Sequence, residues 1–147
     1  MYYAQQSLVQ HLKTGGIEAV TIKEYAAELA SVRDDALDLS VALPAVLVYY
    51  SGPGATDNSD APGYVFHLFV LTETHTLDPE TGMAANLSLV TDIADWLRQR
   101  DHAVIPTVGA NGSYVIDRAG VIVQPLVCRP KWTAHYIVVP LMDKRIR

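Results

Sequence analysis

Apolar and polar residues follow two periods along this chain, and the switches between them mark its elements. In Gln5–Lys13 the residues Leu8, Val9 and Leu12 share one helical face, and Gly15–Gly16 predicts the stop. Ile17–Tyr25 changes to a period of two, with Ile17, Ala19, Thr21 and Lys23 alternating against Glu18, Val20, Ile22 and Glu24. Its β-branched content predicts a strand over Ile17–Lys23. Ala26–Leu43 carries mixed signals. Ala26, Leu29, Ala30, Leu37 and Val41 read as helical turns, while Arg33, Asp34 and Asp35 form a surface cluster. Asp34 or Asp35 is placed to cap a short helix near Ala36–Leu39. Pro44 then opens a strand, Ala45–Ser51, which is apolar on both faces and therefore belongs inside a sheet.

Gly52–Gly63 is rich in Gly, Pro, Asp and Asn, so it predicts an extended loop between Ala45–Ser51 and the next strand, Tyr64–Thr74. Asp78–Pro79 marks a helix start, either directly or after a tight turn through Glu80–Gly82. Leu87, Val90, Ile93, Ala94 and Leu97 recur at helical spacing through Asn86–Gln99, with Arg98 and Arg100 at the negative helix end. These five apolar residues are expected to face the sheet. Asp101–Gly120 holds turn formers, including Asn111–Gly112, around a short β-like piece at Tyr114–Ile116. Val121–Arg129 and Thr133–Leu141 predict a hairpin around Pro130–Lys131, with Pro125 and Pro140 at edges or bulges. Asp143–Arg147 reads as a charged tail. The sum is one α+β domain over residues 1–147: a mainly antiparallel sheet of about five strands, with two to three helices on it.

Composition narrows the function. Half of the 147 residues are hydrophobic, which excludes a disordered chain. Cys128 is the only cysteine, so neither a disulfide framework nor a Cys-based zinc site exists. The longest apolar stretches, Val41–Tyr50, Tyr64–Leu71 and Val121–Cys128, are too short to span a membrane. The start of the chain lacks a basic segment followed by an apolar one, so folding in the cytoplasm is expected. The net charge of -5 disfavours nucleic-acid backbones. That charge is unevenly spread. Residues 1–95 hold 3 basic and 13 acidic side chains, a balance of -10, whereas residues 96–147 hold 8 and 3, a balance of +5. Either the halves mix in space, or they form complementary patches for self-association. On the second reading Arg129, Lys131, Lys144, Arg145 and Arg147 of one subunit meet Asp34, Asp35 and Asp38, or Asp57 and Asp60, of the next.

Catalytic patterns do not hold together. No two of His11, His67, His75, His102 and His135 are four residues apart, as two zinc-binding histidines on one helix face would be. Glu73 and His75 would share a strand face, offering a two-ligand metal site or, more simply, a solvated pair. Cys128 stands beside Arg129, but neighbouring strand residues face opposite sides, so a buried structural thiol is expected. Ser51 lacks the nucleophile elbow. Asp57, Asn58 and Asp60 lack the glutamate that completes a calcium loop. Arg129, Lys131, Trp132, His135 and Tyr136 interleave basic and aromatic residues as single-strand binders do, yet the same residues suit a packed strand. The expectation is no catalytic residue, no cofactor and no metal.

The strand Leu43–Tyr50, the strand Tyr64–Leu71, the helix Asn86–Arg100 and the closing Trp132–Pro140 together resemble the tail terminator family of contractile-tailed, Mu-like phages and of prophage and tailocin tail clusters. The resemblance runs from the first helix to Pro140. It implies a non-enzymatic assembly protein with helices on a mainly antiparallel sheet. It further implies a homo-hexameric ring that caps the tail tube, stops its growth and presents a surface to the head connector. Partners would then be further copies, tube and sheath proteins and the connector, with neither nucleic acid nor membrane. The location would be the host cytoplasm during assembly and the virion tail or neck afterwards. Two alternatives stay open: a small adaptor or assembly chaperone of a phage or secretion-like apparatus, and an enzyme built around Glu73 and His75.

Overall fold

The structure, a computed structural model, describes residues 2–19, 21–26, 42–54, 63–73, 79–109, 112–128 and 132–144. In chain order these form α1 (Tyr2–Thr14), β1 (Thr21–Glu24), β2 (Ala45–Pro53), β3 (Gly63–Glu73), α2 (Pro79–Arg98), β4 (Val104–Pro106), β5 (Ser113–Ile116), β6 (Ile122–Cys128) and β7 (Trp132–Asp143). Single 3-10 turns lie at Arg100–His102 and Arg118–Gly120. One sheet of order β1-β2-β3-β7-β5-β4 takes in six strands, and β6 pairs with β7 as the seventh. The class is α+β as expected, with more strands than the five anticipated. β4 is three residues ending on Pro106, too short to display an alternation. β1 runs parallel to β2, from Thr21↔Ala45 to Glu24↔Val48. The other pairs are antiparallel.

β7 organises the sheet. One of its edges pairs with the full length of β3, from Gly63↔Met142 to Glu73↔Trp132. Its other edge is shared between β6, up to Ile122↔Val138, and β5, from Ile116↔Leu141. Pro140 falls in the gap between them, where its missing N–H interrupts no ladder and its carbonyl accepts the Asp117 N–H at 3.0 Å. Gly120 packs so closely there that a Cβ would stand 2.7 Å from Pro140 Cγ. Pro125 sits at a register shift in β6. Both prolines therefore occupy interruptions, as their chemistry requires.

The helices fill one side of this sheet. Leu8 and Leu12 of α1 and Val90, Ile93, Ala94 and Leu97 of α2 pack on Val46, Val48, Phe66, Leu68, Val70, Ile137, Val139 and Leu141. Gln5 Nε2 donates to the Val48 carbonyl at 2.8 Å, and the Val108 N–H donates to Ser7 Oγ at 2.9 Å. Val48 lies near one end of the strand order and Val108 follows β4 at the other. The sheet therefore curls, and α1 bridges its two ends. At the C-terminal end of α1, Gly15 meets the Trp96 indole so closely that a Cβ would lie 2.5 Å from Cζ2.

Four expectations need correction. Leu87 is 47% exposed; Asn86 takes the buried place, because the inward stripe runs Asn86, Val90, Ile93, Ala94, Leu97. β1 is shorter than Ile17–Lys23: Ile17 and Ala19 pack on the core before the pairing begins. The loop is shorter than Gly52–Gly63, since a register shift between Tyr50 and Gly52 lets pairing continue to Pro53↔Tyr64. The Gly54 N–H closes the loop base on the Gly63 carbonyl at 2.9 Å. Asp143 is a buried end of β7 and not part of a tail, because β5 pairs with it through Tyr114. The helix expected near Ala36–Leu39 lies outside the described residues.

Candidate interaction surface

Side chains alternate across a strand, so the residues between the helix-facing ones project from the other, outer face of the sheet. Among the described residues no helix covers that face. The register aligns Tyr49, His67, Val138 and Ile122 in a row across β2, β3, β7 and β6. The next row is Lys23, Leu47, Phe69, Tyr136 and Gln124. Tyr25 extends the aromatic group beyond β1.

The rings form a continuous sheet of contacts. Tyr49 stacks on Phe69 with centroids 5.7 Å apart, and Tyr25 meets both edge-on at 5.4 and 5.2 Å. His67 lies 4.8 Å from Tyr136 and 6.1 Å from Tyr49. Burial among these rings lowers the His67 pKa from its ordinary value, so the imidazole is neutral near pH 7. At one end of the face Leu47, Leu71, Trp132 and Ala134 are buried, with Tyr25, Leu43 and Phe69 packed on them. At the other end Tyr49 is 39% and Ile122 46% exposed. Among the described residues this end is apolar and aromatic and carries no formal charge.

The remaining histidines hold elements together. His11 Nε2 donates to the His102 carbonyl at 2.8 Å, and His102 Nδ1 donates to the Trp96 carbonyl at 3.0 Å. A carbonyl oxygen only accepts, which assigns both tautomers. Trp96 stacks on His102 at 4.3 Å and lies 4.9 Å from His11. The His11 pKa is lowered, chiefly by burial; the bond to His102 opposes this and the charge of His102 adds to it. His135 Nδ1 pairs with Asn86 Oδ1. Asn86 Nδ2 faces the carbonyls of Val70 (3.1 Å) and Thr133 (2.9 Å) and Thr72 Oγ1 (2.9 Å). These three acceptors fix the amide, so His135 Nδ1 must carry the proton. Burial lowers its pKa as well.

Of the residues singled out from sequence, Lys144 is exposed beside the end of β7, its N–H donating to the Ser113 carbonyl at 2.9 Å. Asp34, Asp35, Asp38, Asp57, Asp60, Arg129, Lys131, Arg145 and Arg147 lie outside the described residues. So does His75; Glu73 is exposed at the end of β3, opposite Trp132. Among the described residues no group of three or more His, Cys, Asp or Glu lies close enough to hold a metal ion. No described helix is long and apolar enough to cross a membrane. Apart from Tyr136, the aromatic face follows from no local pattern: Tyr49, His67, Phe69 and Tyr136 fall on one sheet face only through the register of β2, β3 and β7. The chain matches no known family model and no curated protein sequence.

Proposed function

We propose that this chain is a non-enzymatic assembly protein of a contractile phage tail or a phage-derived tail cluster, a terminator-like subunit. In this role it forms a ring, a hexamer of its own copies, that caps the tail tube and stops its growth. The ring then meets the head connector, having been assembled in the host cytoplasm and carried into the virion neck. The observation that carries the reading is the aromatic end of the outer sheet face, which among the described residues carries no formal charge. Interfaces are enriched in tyrosine and depleted of charge at their centres, and exposed apolar patches mark contact sites. The sheet edges favour no other route. β1 has four residues, β4 has three and ends on Pro106, and β6 is interrupted at Pro125. Short, proline-bearing or bulged edges resist strand pairing. Association therefore runs through faces and not through edges.

The test is the tail length in the phage or prophage that encodes the chain. Removing the gene should give tubes of uncontrolled length without heads, seen in negative-stain micrographs, and restoring it should return one length. Tubes of normal length with heads attached would reject the terminator role. Absent tubes would favour the adaptor or chaperone.

A further inference from the structure

We infer that the cleft between the α1–β1 turn and α2 takes the side chain of an arginine from a protein partner. The inference goes beyond the ring reading and does not rest on it. The cleft has a volume of about 290 Å³. Sites for whole drug-sized molecules run from about 300 to 1,000 Å³, so this one suits a single side chain.

One wall is a stripe of α2. Leu89, Asp92, Ile93 and Trp96 follow at i, i+3, i+4 and i+7, so they share a helix face. Ile93 is buried, and Leu89 and Trp96 are partly buried against the core. Asp92 is therefore a charge set into an apolar stripe. The other wall is the turn that leaves α1. Gly15 has no Cβ to strike the Trp96 indole, and Gly16 takes a φ of 68°, which side chains rarely adopt. These two glycines let the chain double back along α2. There Ile17 adds apolar wall and Glu18 brings a second carboxylate.

Asp92 and Glu18 are both exposed, and neither has a basic partner among the described residues. Their own surroundings supply none. The positions three and four away from Asp92 on α2 are Ser88, Leu89, Asp95 and Trp96. Asp95 is already paired with Arg98 at 3.3 Å. The basic residues nearest Glu18 in sequence, Lys13 and Lys23, line a separate cleft with Gln6 and Gln10. Two like charges thus border an apolar cleft to which the described fold brings no cation. The occupant they fit has an apolar stem and a cationic head. Arginine has both, and its planar fork of donors can meet two carboxylates where an ammonium is a point charge. Arginine is also enriched among the anchors that fill pockets in protein interfaces.

Titration with N-acetyl-argininamide tests this, followed by the indole N–H signals of the two tryptophans in the nitrogen-15-labelled chain. The Trp96 signal should shift and saturate with a dissociation constant of about 1 mM, the scale for so small a ligand. The signal of Trp132, buried on the other face of the sheet, should stay still. N-acetyl-citrullinamide, of similar shape without the charge, should bind about tenfold more weakly. N-acetyl-lysinamide should also bind more weakly than the arginine probe. Asp92→Asn and Glu18→Gln should each weaken binding about threefold at the parent's melting temperature, and together about tenfold. Asp95→Asn, outside the cleft, should bind as the parent does. Raising the salt from about 0.05 to about 0.5 M should weaken binding to the parent far more than to the double variant. Four results would overturn the inference. A Trp96 signal that never moves would leave the cleft without such an occupant. Equal binding of the citrulline probe would make the occupant neutral. Equal or tighter binding of the lysine probe would make it an ammonium. Unchanged affinity in both carboxylate variants would place the charge contact elsewhere. None of these readouts depends on tail length, so this inference and the terminator role fail separately.

Discussion

Asn86 decides how α2 sits. It is fully buried, and its amide meets three acceptors and one imidazole, joining α2 to β3 and β7. Asn86→Ala would leave several buried polar groups without their partner, each worth about 1–3 kcal/mol. The expected loss is about 3 kcal/mol in urea unfolding, against about 0.5 kcal/mol or less for Leu87→Ala. The sequence favours the reverse ranking, because a leucine beside an apolar stripe looks buried and an asparagine does not. Only β3 and β7, distant in sequence, supply the acceptors that make Asn86 the inward residue. The three lowered histidines, His11, His67 and His135, give a second prediction. Each binds a proton more weakly folded than unfolded, so the unfolded chain takes up more protons as pH falls through about 6.5. Stability is therefore complete above that value and lost as pH falls below it. Thermal melting should be flat from pH 8 to 7 and decline from about 6.5 to 5, above the range where carboxylates titrate. His11→Gln should reduce the decline, and a melting temperature that rises on acidification would contradict the assignment.

At the scale of elements, long periodic segments were legible and short or distant pairings were not. The helix stripe at Val90, Ile93, Ala94 and Leu97, the strands around Ala45–Ser51 and Tyr64–Thr74 and the antiparallel pair β6–β7 are all present, while the turn expected around Pro130–Lys131 lies outside the described residues. The alternation in Ile17–Lys23 predicts the strand β1, but its parallel partner depends on a crossover that no local pattern encodes. β4 and the extension of β7 to Asp143 depend on β5, whose four residues pair with both. The outer-face row was written in the strands but became visible only with the register. Val90 is fully buried beneath α2. Val90→Asp places an unpaired charge in that contact, and the cost approaches the whole stability of a typical domain, about 5–15 kcal/mol. The variant should lose its cooperative melting transition and its solubility, while Leu87→Asp should melt as the parent does. A soluble, cooperatively folded Val90→Asp protein would reverse the assignment of the helix face.

At the scale of the whole molecule, a curled sheet is bridged by α1 inside and carries an aromatic face outside. Neither the closure nor the face is a property of any one segment, which is why the sequence alone pointed to charge instead. The -10 and +5 halves remain a proposal for steering between copies; of the ten charged candidates only Lys144 lies among the described residues, exposed and clear of the aromatic row. In the account that results, apolar faces hold the ring and charge sets how quickly it forms. The most direct measurement is tube length in vitro, with purified chain added to polymerising tube subunits of the same tail. The account predicts that tubes shorten as the chain is added, that a ring of density appears at one end, and that Tyr49→Glu has neither effect. Tubes of unchanged length at every ratio, with no density at their ends, would contradict it.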